Sequence, residues 1–283
     1  MSPAPAPAPA LALAPERPRF TDLLAAEWIK LWSLRSTYWI LGVGALVVVG
    51  INVNSARSNA DLLARGSAAS PGGIIGIDPM HTAFVEPAYQ ILMIVAGSVG
   101  AIAVFGEYAS GLIRTTFAAV PDRRAVVAAK TCVVAVVMFG LGAVVSAASF
   151  GLTQAVLSDT IGLSIGAPGA LRAVVASALL APLCALVGMA LGALVRHAAG
   201  SVVATLVTLL LLPALFRGET YRWVKEIGNA MPLTAWEALV ENPATDRPPG
   251  RYPESIAEAW TVFAAWPLVA VIVTVVVVRR RDA

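Results

Sequence analysis

The side chains able to do chemistry are few in this chain, and they stand apart. His81 and His197 are the two histidines, one in a loop and one beside a turn, and no HExxH pattern or Cys/His cluster accompanies them. They read as loop and interface residues, not as metal ligands. Cys132 and Cys184 lie alone within apolar segments, without a CxxC pair or an even framework for a disulfide fold. A serine nucleophile needs a GxSxG elbow and a base, yet Gly97-Ser98-Val99-Gly100 lacks the pattern and no histidine falls inside an apolar run. No GxxxxGK[ST] loop is present to hold the phosphates and magnesium of a nucleotide. The expectation is a chain with no catalytic residues, no metal site and no cofactor. If ATP drives it, a separate ATPase subunit binds the ATP and Mg.

The most informative segment between two apolar runs is 106–130. It holds Glu107 at the edge of an apolar run, a short amphipathic piece through Arg114 and Thr115, a Pro121-Asp122 stop, and the basic pair Arg123-Arg124. A hairpin between two helices needs only a few residues, so this segment is long enough to form a protruding helix. A positive loop that merely sets topology would carry the same arginines, and the residues alone leave both readings open.

The elements that would position these residues follow from composition. Of 283 residues 58% are hydrophobic and 13% charged, with mean hydropathy +0.78, against roughly 45–50% and 25% in a soluble domain. The apolar residues come in runs too long for core helices. With about 20 residues needed to cross a bilayer, six spans are expected, at 37–53, 89–105, 125–157, 171–195, 198–216 and 259–278. The third is long enough to tilt or to extend beyond the membrane, and Pro182 and Pro267 are tolerable kinks. Residues 1–19, mostly an Ala-Pro repeat, read as a disordered tail without the pattern of a signal peptide. Residues 20–283 then form a single six-span domain.

The net charge of +3 and pI near 9.1 do not point to nucleic acid, because the basic residues flank the apolar runs and form no stripe with interleaved aromatics. Cytoplasmic flanks are enriched in Lys and Arg. With the N-terminus inside, Lys30, Arg35, Arg123, Arg124, Lys130, Arg196 and Arg279 all fall on inner segments, which become net positive while the outer ones become net negative. Both termini are therefore expected in the cytoplasm. Ahead of the first span, 20–34 places Phe20, Leu23, Leu24, Trp28 and Leu31 at helical spacing with Asp22, Glu27 and Lys30 elsewhere, which suits an amphipathic lead-in helix on the inner leaflet. Trp32 and Trp39 mark the headgroup level. In the outer segment 217–258, Leu233, Trp236, Leu239 and Val240 form a short stripe that either dips into the outer leaflet or caps a pathway.

Inside the spans no ionisable residue lies at mid-depth, which disfavours a carrier driven by an ion gradient. Ser146, Ser149, Gln154, Thr205 and Thr208 read first as helix-pairing or backbone-bonding groups. Gly188-Met189-Ala190-Leu191-Gly192 is a GxxxG, and Gly142 with Ser146 repeats its spacing. Both patterns admit two readings, close packing within one bundle or a dimer face.

Two stretches resemble the membrane (permease) subunits of bacterial type-2 ATP-binding-cassette (ABC) exporters. One is Glu27-Trp28-Ile29-Lys30-Leu31 with Leu34-Arg35-Ser36-Thr37-Tyr38-Trp39. The other is Glu107-Tyr108-Ala109-Ser110-Gly111-Leu112-Ile113-Arg114-Thr115-Thr116, followed by Pro121, Arg123, Arg124 and Lys130. The likeness runs from about residue 20 to the C-terminus; the family's Gly-Thr after its Glu stands here as Gly111-Leu112. It implies an all-α membrane protein of six transmembrane helices in the bacterial plasma membrane, with a cytoplasmic coupling helix between spans two and three. It further implies a cytoplasmic ABC ATPase as partner and a second permease copy, alike or different, to enclose the pathway. By resemblance, Glu107, Tyr108, Arg114, Thr115, Asp122, Arg123 and Arg124 meet the ATPase, supported by Glu27, Trp28, Lys30 and Arg35 of the lead-in helix. A channel or carrier outside this family, or an anchor or sensor without transport, are the competing readings.

Overall fold

The structure, a computed structural model, describes residues 19–66, 77–109, 111–112, 116, 120, 122–245 and 250–281. All regular elements among them are helical. Helix α1 (Phe20–Ser33) starts where the Arg19 N–H donates to the Asp22 carboxylate at 2.9 Å. A break at Leu34, in extended conformation, separates it from α2 (Arg35–Gly66). Then come α3 (Pro79–Ala83) and α4 (Glu86–Ala109). Helix α5 (Arg123–Leu157) is capped by Asp122, whose carboxylate accepts the N–H groups of Arg124 and Ala125 at 3.1 and 3.2 Å. Helix α6 (Ala170–Val195) follows, ending where Arg196 turns left-handed. Next are α7 (Ala198–Leu206), a π turn (Val207–Leu211), and the short α8 (Leu212–Leu215), which has Pro213 in its first turn. Helices α9 (Arg222–Asn229), α10 (Pro232–Val240) and α11 (Ile256–Arg281) complete the described chain.

Six helical stretches are long and apolar enough to cross a membrane: α2, α3–α4, α5, α6, α7–α8 and α11. Each overlaps one of the expected spans. The first helix runs well past the expected 53, because the polar stretch after it still favours helix and adds turns beyond the apolar run. At 1.5 Å per residue the 35 residues of α5 reach about 52 Å, far beyond a hydrocarbon core of about 30 Å.

The core sits around α6, of whose most apolar stretch 67% is buried, against 22% for α2, the α7–α8 stretch and α11. The peripheral helices thus leave most of their apolar surface exposed. Close approach of α4 and α5 to α6 depends on missing side chains. A Cβ on Gly188 would run into the backbone of Gly97, one on Gly100 into that of Ala185, and one on Gly142 into that of Ala178; Gly192 lies against Ala101. Gly142, Gly188 and Gly192 therefore serve contacts within the chain, and Ser146 is fully buried with its hydroxyl donating to the Ala143 carbonyl.

Buried polar side chains tie the helices at the end where α3, α9 and α10 lie. The Asn52 amide donates to Ser149 Oγ at 2.9 Å and accepts the Val85 N–H at 3.2 Å, joining α2, α5 and the start of α4. Gln154 bonds both Pro79 O and the Leu163 N–H. The stripe in α10 faces inward: Leu233, Trp236, Leu239 and Val240 are buried, Trp236 donates to Ser177 Oγ at 3.0 Å, and its ring stacks on Tyr89 at 4.7 Å. Arg172 of α6 caps the far end of α10 by donating to Leu239 O and Glu241 O. So α10 is docked on the bundle by its apolar stripe.

Candidate functional site

At the opposite end, four charged side chains from three helices close a ring. Glu27 and Lys30 lie one turn apart on α1, Glu107 is in the last turn of α4, and Lys130 is in the second turn of α5. Lys30 Nζ meets Glu27 Oε1 at 2.7 Å and Glu107 Oε1 at 2.9 Å; Lys130 Nζ meets Glu27 Oε2 at 2.5 Å and Glu107 Oε1 at 2.9 Å. Signs alternate around the ring and the formal charges cancel. Glu27 is 5% exposed, Lys130 11% and Glu107 13%, while Lys30 at 31% is the member that water reaches. Burying a charge is costly unless it is paired and hydrogen-bonded. Each ammonium here touches two carboxylates and each carboxylate two ammoniums, which is how charges can sit so deep. Burial pulls the Lys30 ammonium down, but its bonds to Glu27 and Glu107 outweigh that and hold it above the ordinary lysine range.

Amphipathic spacing groups Phe20, Leu23, Leu24, Trp28 and Leu31 on one side of α1 and leaves Glu27 and Lys30 off it. In the structure Leu23 and Glu27 are buried against α5, whereas Phe20 and Trp28 are exposed at 45% and 47%. The charges turn inward because Lys130 and Glu107 wait there. Trp32 packs at the elbow between Trp28 and Tyr38, with ring centroids at 5.7 and 4.9 Å. Beneath the ring is a cavity of about 420 Å³, walled by Leu34, Ile40, Val99, Ile102, Val133 and Val134.

Tyr108, the neighbour of Glu107, is held from the other side. The Arg196 guanidinium lies 4.3 Å from its ring centroid, and Nη2 donates to its hydroxyl at 3.4 Å. The last turn of α4 is thereby fixed to α1 and α5 through Glu107 and to the end of α6 through Tyr108. Asp122 caps α5, Arg123 is half-buried, and Arg124 and Arg35 are exposed at the same end. Arg114 and Thr115 lie outside the described residues.

Of the residues singled out from sequence, Glu27, Lys30 and Glu107 converge on one cluster and Tyr108 adjoins it. Lys130 completes the ring and Arg196 holds Tyr108, although the sequence assigns neither of these two basic residues a place in the site. A signal for Lys130 existed: a lysine a few residues inside an apolar run needs a counter-charge.

Fold and ring together define an all-helical, multi-pass membrane protein whose lead-in helix is clamped to two of its spans. No family model matches the chain, and no curated protein matches it in sequence.

Proposed function

We propose that the chain is the membrane-spanning permease subunit of a bacterial ABC exporter, working with a separate cytoplasmic ATPase that binds ATP and Mg, and with a second permease copy. The observation that carries this reading is the ring. It joins α1 to the helix ends that bracket segment 110–122, so a push delivered to that segment moves the lead-in helix, α4 and α5 as one body. Rigid-body motion of this kind is how binding energy at one site biases another. In this reading 110–122 holds the coupling helix, and Arg123, Arg124 and Asp122 at the start of α5 meet the ATPase. Glu107 acts from behind them, as a strut and not as a contact. The basic residues Arg19, Arg35, Arg123, Arg124, Arg196, Arg279 and Arg280 favour placing this end, and both termini, in the cytoplasm at the plasma membrane. The six crossings, an even number, agree with that.

The second copy has the exposed faces of α2, α7 and α11 available, since Gly142, Ser146, Gly188 and Gly192 are engaged within the chain. The test is Arg123→Glu with Arg124→Glu. The variant should still insert and fold but lose stimulation of the partner ATPase; unchanged stimulation removes these arginines from the coupling role.

A further inference from the structure

The cavity of about 420 Å³ beneath the ring is built unevenly. Val99 and Ile102 of α4 and Val133 and Val134 of α5 wall its depth, and its polar lining residues are gathered at one end, in the ring and at the elbow between α1 and α2. A space walled by valine and isoleucine offers water few partners, and left empty it forfeits the contacts of its walls. Ile40, exposed at 37% on the first crossing, borders it, which puts lipid chains at its edge.

The polar end has donors to spare. Glu27 and Glu107 line it, but each already accepts from Lys30 and Lys130. An ammonium carries three N–H groups; Lys30 uses two of them, on Glu27 and Glu107, and is the ring member that water reaches. Thr37 lines the cavity and is only 6% exposed, yet its hydroxyl has no hydrogen-bond partner among the described residues, and the oxygen is not sealed off. A buried hydroxyl left without a partner costs free energy, so in a native protein it calls for a ligand or a water. The 32-residue helix α2 also begins at this end, bringing its first free N–H groups and the positive end of its dipole. The charges of the ring cancel. Arg35, exposed between the lining residues Leu34 and Ser36, has no ion-pair partner among the described residues and leaves the rim with a net positive charge.

We propose that this cavity binds an anionic phospholipid from the leaflet on the ring's side, with its phosphate at Lys30, Thr37 and the start of α2 and one acyl chain running down between Ile40, Ile102 and Val133. Charge complementarity at the rim selects the head, and the apolar walls select the chain. A lipid seated there packs the elbow of the lead-in helix against α4 and α5. The site rests on the six membrane crossings and not on the permease reading, so a chain that has no ATPase partner still binds lipid here.

The experiment uses the delipidated full chain in mild detergent, with phosphatidylglycerol and phosphatidylcholine of identical chains added in equal amounts, and native mass spectrometry to count the lipid retained. The expected result is one phosphatidylglycerol held in preference to phosphatidylcholine. Glycerol phosphate, the head without chains, should not displace it. Thr37→Val combined with Arg35→Gln keeps the side-chain volumes and should weaken retention about tenfold, the loss expected for a hydrogen bond to a charged group. Ala103→Phe, which adds a ring to the cavity wall, should abolish it. Unchanged elution profiles check that both variants fold, and the isosteric double variant keeps the test open if Ala103→Phe does not. Equal retention of the two lipids, displacement by glycerol phosphate, or full retention in the double variant or in a folded Ala103→Phe overturns the proposal.

Discussion

Replacing Lys130 with methionine keeps an unbranched side chain and deletes its ammonium. In the native ring Lys130 touches Glu27 and Glu107, which are 5% and 13% exposed. In the variant the two carboxylates share Lys30 alone and the cluster carries a formal −1. Removing one partner of a buried pair typically costs about 3–5 kcal/mol. Lys30 remains 2.7 and 2.9 Å from the two carboxylates and is partly hydrated, which puts the expected loss at the lower end, about 3 kcal/mol. For a chain of this size that corresponds to a Tm lower by about 6–12 °C. The assay is size-exclusion recovery of detergent-purified protein after heating at one fixed rate, since such chains unfold irreversibly. Lys130→Met combined with Glu107→Gln leaves the neutral pair Lys30–Glu27, so the double variant should be more stable than additivity allows by about 1–3 kcal/mol. Arg222→Met, which breaks only the exposed pair with Glu226, serves as the reference and should barely move the Tm. A Lys130→Met midpoint indistinguishable from that of Arg222→Met, with no recovery in the double variant, would refute the idea that the ring clamps α1.

Other expectations follow from particular contacts. Gly100→Ala drives a methyl into the Ala185 backbone and should destabilise by about 1–3 kcal/mol or more, while Gly50→Ala, with open space around it, should be neutral or stabilising by up to about 1 kcal/mol; thermal recovery of the pair checks both. Asn52→Leu strands the Val85 N–H and should cost about 1–3 kcal/mol, read by the same recovery assay. Stability should also depend on pH through Glu237 and Glu254. Their folded values near 7 lie above the ordinary 4.5, so the folded state holds protons that the unfolded state has released, and stability falls as pH rises from about 5 to 8. Thermal midpoints across that range test the sign, and Glu254→Gln should flatten the slope.

The six spans were legible because a bilayer sets a length that an apolar run either meets or misses, and each expected run lies within or along an observed helix. Helix ends were less so: polar residues after 53 can continue a helix as readily as leave it, and nothing local marks where α2 stops. The ring was half legible. Glu27, Lys30 and Glu107 stand out as charged residues beside apolar runs, but the choice between facing water and facing a partner depends on Lys130, which is 103 residues from Glu27 in the chain. Periodicity on α1 alone therefore does not show what Glu27 and Lys30 meet. Gly188 and Gly192 were visible as a close-approach motif, and only the positions of Gly97 and Ala101 decide that the approach is internal.

The most direct test of the permease reading is co-purification of the tagged full chain from its native membrane in mild detergent, with partners identified by mass spectrometry. The expected result is near-equal recovery of a protein bearing GxxxxGK[ST], lost when Arg123 and Arg124 are both changed to glutamate. Recovery of the intact, folded chain without such a partner would contradict it.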